Sequence, residues 1–425
     1  MEHIMTNPPD PRTVLAPDRA DGSIYSDPAL FALEMDRIFM HHWIWVAHDS
    51  DIPEPGDFIT TFVGAHPVIV SRDRKGTVHV MLNRCRHRAA TVCEKAKGST
   101  ASFVCPYHGW AYGLDGALRG VPHVDGYDGQ LDKASLPLVN LRVADYQGLI
   151  FATFDHAIPD LDNWLGAAKP WIDLFMKQGA GWPVKTMGEH KFTFPGNWKI
   201  QLENTTDAYH FPIVHKSFLD SVDHETQDTF NFVEGDGFVE DLGHGHSVMV
   251  MIPELVDLEA DLDAPIPERF RELAAALSHD HPPGQVRRIV RAVGGTGFNL
   301  NLFPNLACSM AFFRVLRPLD VTQTEIRHIA IGMDGGPDIA NQMRLRLHEH
   351  FQGPMGFGTP DDSEAWDRVQ RGSHAGRGIP VLLNRGLGGE TQGPDGHPRG
   401  DVSAETGMRA AYRQWLATLT GEDAA

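Results

Sequence analysis

Two short clusters, Cys85-Arg86-His87 and Cys105-Pro106-Tyr107-His108, constrain this chain more than any other feature. Each offers one thiolate and one imidazole from a short loop. A Rieske [2Fe–2S] centre needs two thiolates on one iron and two imidazoles on the other, which raises its potential above that of an all-Cys cluster. Two loops of this kind can hold such a cluster from both sides. Tetrahedral zinc also accepts a Cys₂His₂ set, but zinc sites commonly place two Cys in one knuckle and two His in the other. Here the order is Cys-His and then Cys-His, which favours the iron–sulfur reading and makes the chain an electron acceptor.

With 425 residues the chain has room for two domains. Its 42% hydrophobic and 22% charged residues are those of a folded globular protein. No run approaches the roughly 18 apolar residues of a membrane span. The segment Met1 to Arg19 is rich in Pro and Asp and lacks an apolar stretch, so no signal peptide is expected; Met5 is an alternative start to Met1. Lys plus Arg total 37 against 56 Asp plus Glu, a net charge of −19 that disfavours nucleic acid and anionic membranes as partners. The cysteines are Cys85, Cys93, Cys105 and Cys308. With two given to the cluster no disulfide framework remains, which fits a reducing cytoplasm. Cys93 reads as a small packed side chain.

Asp27 to Phe39 reads as an amphipathic helix with Leu30, Phe31, Met35, Ile38 and Phe39 on one face. Phe58–Val63, Val68–Ser71, Val78–Leu82 and Leu149–Phe154 read as strands of a small antiparallel domain, with both metal loops at strand ends. After Pro159 helices (Trp164–Lys177, Trp198–His210, Glu268–Leu277, Gln285–Val293) mix with strands such as His246–Ile252. Phe298–Phe303 and Ser309–Leu316 read as a hairpin turned near Pro304-Asn305, and Gly-rich Arg385–Gly400 as a loop. A final helix, Glu405–Thr420, carries Met408, Tyr412, Trp415 and Leu419 on one face.

A second metal site is suggested by Glu203-Asn204-Thr205-Thr206-Asp207-Ala208-Tyr209-His210-Phe211-Pro212-Ile213-Val214-His215. Asp207 and His210 would share a helix face. Pro212 should break the helix and let His215 swing back towards His210. Asp361 and Asp362 are candidates for a carboxylate ligand, in a helix starting at Pro360 and capped by Thr359. Acids in a first helical turn are also ordinary, since they complement the dipole. Two His and one carboxylate with open positions suit oxygen-activating non-heme Fe(II). His41, His42, His244, His246, His279, His281, His348 and His350 belong to no comparable pattern.

With both sites in view, the chain resembles the large (α) subunit of Rieske non-heme iron aromatic-ring-hydroxylating oxygenases, most closely the benzoate- and anthranilate-type branch. The resemblance runs over nearly the whole chain: Asp-Pro-Ala-Leu-Phe-Ala-Leu-Glu, Glu-Pro-Gly-Asp-Phe, Cys-Arg-His-Arg, Cys-Pro-Tyr-His-Gly-Trp, Glu-Asn-Thr-Thr-Asp-Ala-Tyr-His and Gly-Thr-Pro-Asp-Asp follow in family order. It implies an α+β architecture: a segment and helix over 1–41, an antiparallel β Rieske domain over 42–158, and a helix-grip (START-like) catalytic domain over 159–425. It implies that Cys85, His87, Cys105 and His108 bind [2Fe–2S], and that His210, His215 and Asp362 bind Fe(II). Asp207 matches a carboxylate that bridges a Rieske His of one subunit to an iron-site His of its neighbour. A head-to-tail homotrimer follows, alone or as α3β3 with a small β subunit, fed by an NAD(P)H-dependent reductase or a ferredoxin. Ala89 departs from the Gly common in the family.

The implied reaction is hydroxylation of an aromatic ring with O₂, as cis-dihydroxylation of an aromatic acid; salicylate-type monohydroxylation and oxidative demethylation use the same machinery. Asn204, Phe211, Val214, Met249, Met251, Phe303 and Phe357 are candidates for the substrate cavity, though each is equally explicable as core. Arg314 could meet a substrate carboxylate, or instead pair with one of the many surplus acids. Two rival classes are a pure electron carrier and a non-catalytic binding module. Iron content separates them, at about three Fe per chain for the oxygenase and about two for either rival.

Overall fold

The structure, a computed structural model, describes residues 9–256, 258, 265–375 and 378–422; the choice between Met1 and Met5 lies outside them. The chain divides into two compact units, Met35–Leu161 and a larger one formed by Met1–Glu34 with Asp162–Ala425.

In the smaller unit every strand pairing is antiparallel. One sheet runs Val78–Leu82, His66–Arg72, Asp57–Val63, Lys97–Ser99, and a second runs Arg142–Tyr146, Leu149–Thr153, Ile44–His48. The expected strands are therefore present, within two residues at each end. The turn after Arg72 shows why: Asp73 Oδ1 accepts from the Lys75 and Thr77 amides (2.8 and 2.9 Å), while Gly76 takes φ 87°. A third small sheet, Leu118–Gly120, Ala111–Tyr112 and Phe103–Val104, carries the second metal loop.

The larger unit is built on a nine-stranded antiparallel sheet. Its order is Val184–Phe194, Gln323–Met333, Phe312–Asp320, Leu306–Ser309, Phe298–Leu302, Ser247–Val250, Phe238–Asp241, Pro398–Asp401, Thr391–Gln392. Two expectations change here. The turn near Pro304-Asn305 pairs Phe298–Leu302 with Leu306–Ser309, and a second turn at Met310-Ala311 starts Phe312–Asp320. The Gly-rich segment is not all loop, because Pro398–Asp401 pairs with Phe238–Glu240 and extends the sheet. The expected helix Trp164–Lys177 is also interrupted, into Leu161–Leu165 and Lys169–Met176, with Gly166 at φ 44° and Pro170 in the first turn of the second piece.

Helices α1 (Pro28–Arg37), α2 (Trp198–Thr205) and α3 (Thr406–Thr420) meet at a buried ion pair. Lys199 Nζ lies 2.5 Å from Glu34 Oε1, and the indoles of Trp198 and Trp415 donate to the same carboxylate at 2.8 and 2.7 Å. Every Glu34 oxygen is thus satisfied at 0% exposure. Removing one partner of such a pair typically costs about 3–5 kcal/mol, because the other charge stays buried. Helix α3 buries Met408, Tyr412, Trp415 and Leu419 and packs on Phe238–Asp241 and Ser247–Val250, the grip of helix on sheet. Among the described residues no helix is long and apolar enough to cross a membrane.

Candidate metal centres and active-site cavity

The two cysteine loops have one backbone design. Cys85 N–H donates to Ala90 O (2.8 Å) and Ala89 N–H to Cys85 O (3.1 Å); in the second loop Cys105 pairs with Trp110 (2.8 Å) and Gly109 with Cys105 (3.0 Å). Both loops need a left-handed residue at the same place, Ala89 at φ 62° and Gly109 at φ 72°. The Ala89 departure therefore keeps the loop shape at a steric cost of roughly 1 kcal/mol. The loops bring Nδ1 of His87 and His108 to 3.2 Å, with His87 stacked on Trp110 at 5.0 Å. Cys85 and Cys105 are buried behind them, and the Tyr112 hydroxyl lies 3.3 Å from Cys85 Sγ. None of the four cysteines forms a disulfide. Two buried thiols with two converging imidazoles fit a mixed-ligand [2Fe–2S] cluster.

The second centre is built by a helix end. Asn197 caps α2, accepting from the Lys199 amide (3.1 Å), and α2 stops at Thr205, where the Thr205 hydroxyl turns back to Gln201 O (3.0 Å). Asp207 and His210 consequently lie in the turn between α2 and the short helix Phe211–Val214, not on one continuous helix. The break precedes Pro212, which sits comfortably in the first turn of that short helix. His215 ends it. The carboxylates come from the helix Gly358–Ser373, which starts two residues before Pro360; Thr359 does not cap it, its hydroxyl donating to Gln352 O (2.9 Å).

These elements bring the three expected side chains together. Asp362 Oδ1 lies 3.5 Å from His210 Nε2 and 3.3 Å from His215 Nε2, and the three ligand-type atoms fall within 4.8 Å of one another. Asp362 and His215 are buried. Burial opposes charge on Asp362, but the two imidazoles outweigh it and hold the carboxyl well below its usual range. Burial likewise opposes protonation of His210, yet Asp207 and Asp362 hold its pKa up at about 9. A second acid backs each imidazole. Asp207 Oδ2 is 3.2 Å from His210 Nδ1, within ion-pair range but outside hydrogen-bonding geometry, and Asp361 Oδ2 is 3.6 Å from His215 Nδ1. Two inward Nε2 atoms and one carboxylate, each His backed by an outer acid, fit a mononuclear iron with open positions. Sequence reading treated Asp361 only as an alternative ligand; its backing position is set by the helix turn.

A cavity of about 330 Å³ opens beside this set. Asn204, Phe211, Met249, Met251 and Arg314 line it, while Val214, Phe303 and Phe357 do not. Phe303 instead packs towards Trp198, and Phe357 towards His350. Walls that sequence reading missed include Phe230, Phe232, Phe312 and Phe351, which come from three separate segments. Asn204 Nδ2 lies 3.2 Å from Asp362 Oδ1 and 3.3 Å from His210 Nε2, so it borders the metal site as well.

Residues 42–141 match the Rieske [2Fe-2S] domain, and residues 176–421 match the ring hydroxylating alpha subunit (catalytic domain). The chain belongs to this ring-hydroxylating alpha-subunit family. It is 33% identical over 403 residues to the anthranilate 1,2-dioxygenase large subunit of Acinetobacter baylyi, spanning 86% of this chain and 82% of that one. Toluate 1,2-dioxygenase subunit alpha of Pseudomonas putida is 31% identical over 399 residues (89% and 83%). A solved structure of naphthalene 1,2-dioxygenase with indole bound in the active site superposes with a TM-score of 0.80 at 30% identity, covering 95% of this chain and 92% of that one. The chain is thus an oxidoreductase of the Rieske ring-hydroxylating type, of the benzoate- and anthranilate-like branch, carrying a [2Fe–2S] cluster and a mononuclear iron.

Four residues before Asp207, Glu203 accepts hydroxyl hydrogen bonds from Tyr25 (2.7 Å) and Tyr412. Burial pushes its carboxyl up to about 7 against those two bonds. The folded protein therefore holds a proton that the unfolded chain releases above about 4.5, so stability falls as pH rises from there towards 7. Glu203→Gln is expected to flatten that slope, worth up to about 3 kcal/mol, in denaturant melts between pH ~5 and ~7. An unchanged slope in the variant places the proton on another group.

Proposed function

We propose that this chain is the terminal oxygenase component acting on an aromatic acid, with Cys85, His87, Cys105 and His108 holding the cluster and His210, His215 and Asp362 holding Fe(II). When bound, the iron supplies O₂ activation and the cluster supplies electrons one at a time. The chain's own contribution is positional: Asp207 and Asp361 orient the two imidazoles, Asn204 borders the open side, and the phenylalanine walls keep water from a flat apolar ring. We further infer a head-to-tail trimer, alone or with a small β subunit, in the cytoplasm and reduced by a separate reductase or ferredoxin. Exposed His108, with Tyr107 (62% exposed) beside it and Ile213 (79%) beside the iron site, supports an interface at both centres.

Arg314 carries the acid reading. It is 5% exposed and lines the cavity, yet its hydrogen bonds go to neutral groups only: His328 Nε2 (3.0 Å), Thr205 Oγ1 (3.4 Å) and Gln352 Oε1 (3.2 Å). Among the described residues no carboxylate lies within 4.0 Å of it, so the expected salt bridge to a surplus acid is absent. Burial lowers its pKa to about 10, which leaves it charged at neutral pH. A buried cation with no anion in contact and only Asp362 at longer range is costly, and a substrate carboxylate would compensate it with charge-assisted hydrogen bonds.

The test is product analysis with benzoate-type acids against neutral arenes, repeated with Arg314→Met. The expected result is a cis-dihydrodiol from the acids and a loss in kcat/KM of at least about thirtyfold for Arg314→Met, the scale of a broken buried charge pair. Equal turnover of neutral arenes, unaffected by Arg314→Met, would reject the acid reading. A monohydroxylated or demethylated product would keep the site and change the reaction.

A further inference from the structure

A second cluster of ligand-type side chains lies outside the candidate iron site. His190 stands in the strand Val184–Phe194, at the free edge of the nine-stranded sheet, where it pairs in register with His328. His348 and Glu349 belong to the last turn of the helix Asp338–Gln352. His190 Nε2 lies 2.6 Å from Glu349 Oε1, and the His190 and His348 rings are nearly parallel at 6.1 Å. One ligand-type atom from each of the three falls within 4.8 Å of the other two.

The His190–Glu349 contact alone would be an ordinary half-exposed ion pair. His348 is the independent observation. It is 7% exposed, lines the edge of the cavity beside the candidate iron site, and neither of its ring nitrogens has a hydrogen-bond partner. An imidazole carries two hydrogen-bonding nitrogens, and a buried polar group left unpaired in a native fold points to an ion, a water or a function that accounts for it. Burial lowers the pKa of His348 to about 4, so its ring is neutral at physiological pH and a lone pair is available. By contrast His328, also buried, is fully used, by Arg314 Nε on one nitrogen and Gln352 O on the other.

We propose that His190, His348 and Glu349 form a divalent-cation site of the zinc class, separate from the iron centre, that ties the sheet edge to the last turn of this helix. Two imidazoles and a glutamate are a donor set zinc accepts, with water in the fourth position. Zinc–ligand distances of about 2.0–2.2 Å put neighbouring ligand atoms about 3.3–3.6 Å apart. The His190–Glu349 pair, now at 2.6 Å, would open to that spacing by rotation of the half-exposed Glu349 side chain. The turn held in this way leads directly to Phe351 and Gln352, which line the cavity, and Gln352 is the acceptor for Arg314 Nη2. A cation held there would fix one wall of the substrate site.

The experiment adds Zn²⁺ to full-length protein already loaded with cluster and iron, removes unbound metal by gel filtration, and counts both metals by mass spectrometry. One zinc per chain with iron content unchanged is expected, together with a rise in Tm. His190→Ala and Glu349→Gln, both at half-exposed positions, are each expected to retain less than a tenth of that zinc with the cluster absorption unchanged. Three results overturn the site: no zinc retained by the parent protein, zinc gained only as iron is lost, or full zinc content in His190→Ala. The iron count is read in the same sample, so failure of this site is distinguishable from failure of the iron assignment.

Discussion

Asp362→Ala is expected to remove the mononuclear iron and all measurable turnover while leaving the visible spectrum of the [2Fe–2S] cluster unchanged. Asp362 Oδ1 is the buried atom that both inward imidazole nitrogens face, at 3.5 and 3.3 Å. The proposed cluster ligands belong to the unit Met35–Leu161 and Asp362 to the other, so the spectrum should not respond. Iron content should drop from about three to about two per chain. The neighbouring Asp361 is the control, because it faces the outer nitrogen of His215 at 3.6 Å. Its alanine variant should lose about ten- to a hundredfold in iron affinity or rate, the usual scale for a group that orients a ligand. The reverse ranking of the two variants would make Asp361 the ligand.

Asp207→Asn is expected to keep both metal centres but to slow oxidation of the pre-reduced cluster, in single turnover with substrate and O₂, by about ten- to a hundredfold. The local fold should survive the change. Asp207 Oδ1 accepts the Tyr209 amide at 2.7 Å, and an asparagine oxygen can take the same bond. What the amide loses is the negative charge facing His210 Nδ1 at 3.2 Å and, in the proposed trimer, one acceptor for a neighbouring subunit's imidazole. A wild-type rate in fully metallated protein would leave Asp207 as an acid that only shapes its turn.

Chemistry concentrated in short, local spacing was legible in the sequence. Each cysteine loop supplies its own Cys and His, and its backbone bonds close within the loop, so the pairing of Cys85 with His87 and of Cys105 with His108 as candidate ligands was legible. His210 and His215 share a short segment, and Asp362 followed from the family resemblance rather than from spacing. Strands with alternating Val and Ile were placed within two residues for the same local reason.

The tertiary structure decided whatever depends on segments far apart in the chain. Glu34 sat inside an apparently simple amphipathic helix, and only the arrival of Lys199, Trp198 and Trp415 makes its full burial tolerable. Helix α2 is buried nearly all round, so its apolar periodicity is weak, and its end at Thr205 is set by side-chain bonds that pattern reading does not capture. The cavity walls come from several strands and helices, which is why Phe303 and Phe357 were misplaced while Phe230 and Phe312 went unnoticed. His190, His348 and Glu349 gave no sequence signal, because sheet edge and helix turn meet only in the folded chain. Arg314 likewise was one arginine among many acids until the fold buried it beside the iron site with no anion of its own. Sequence determined the redox chemistry through local ligand spacing; the packing of distant segments decided what that chemistry faces.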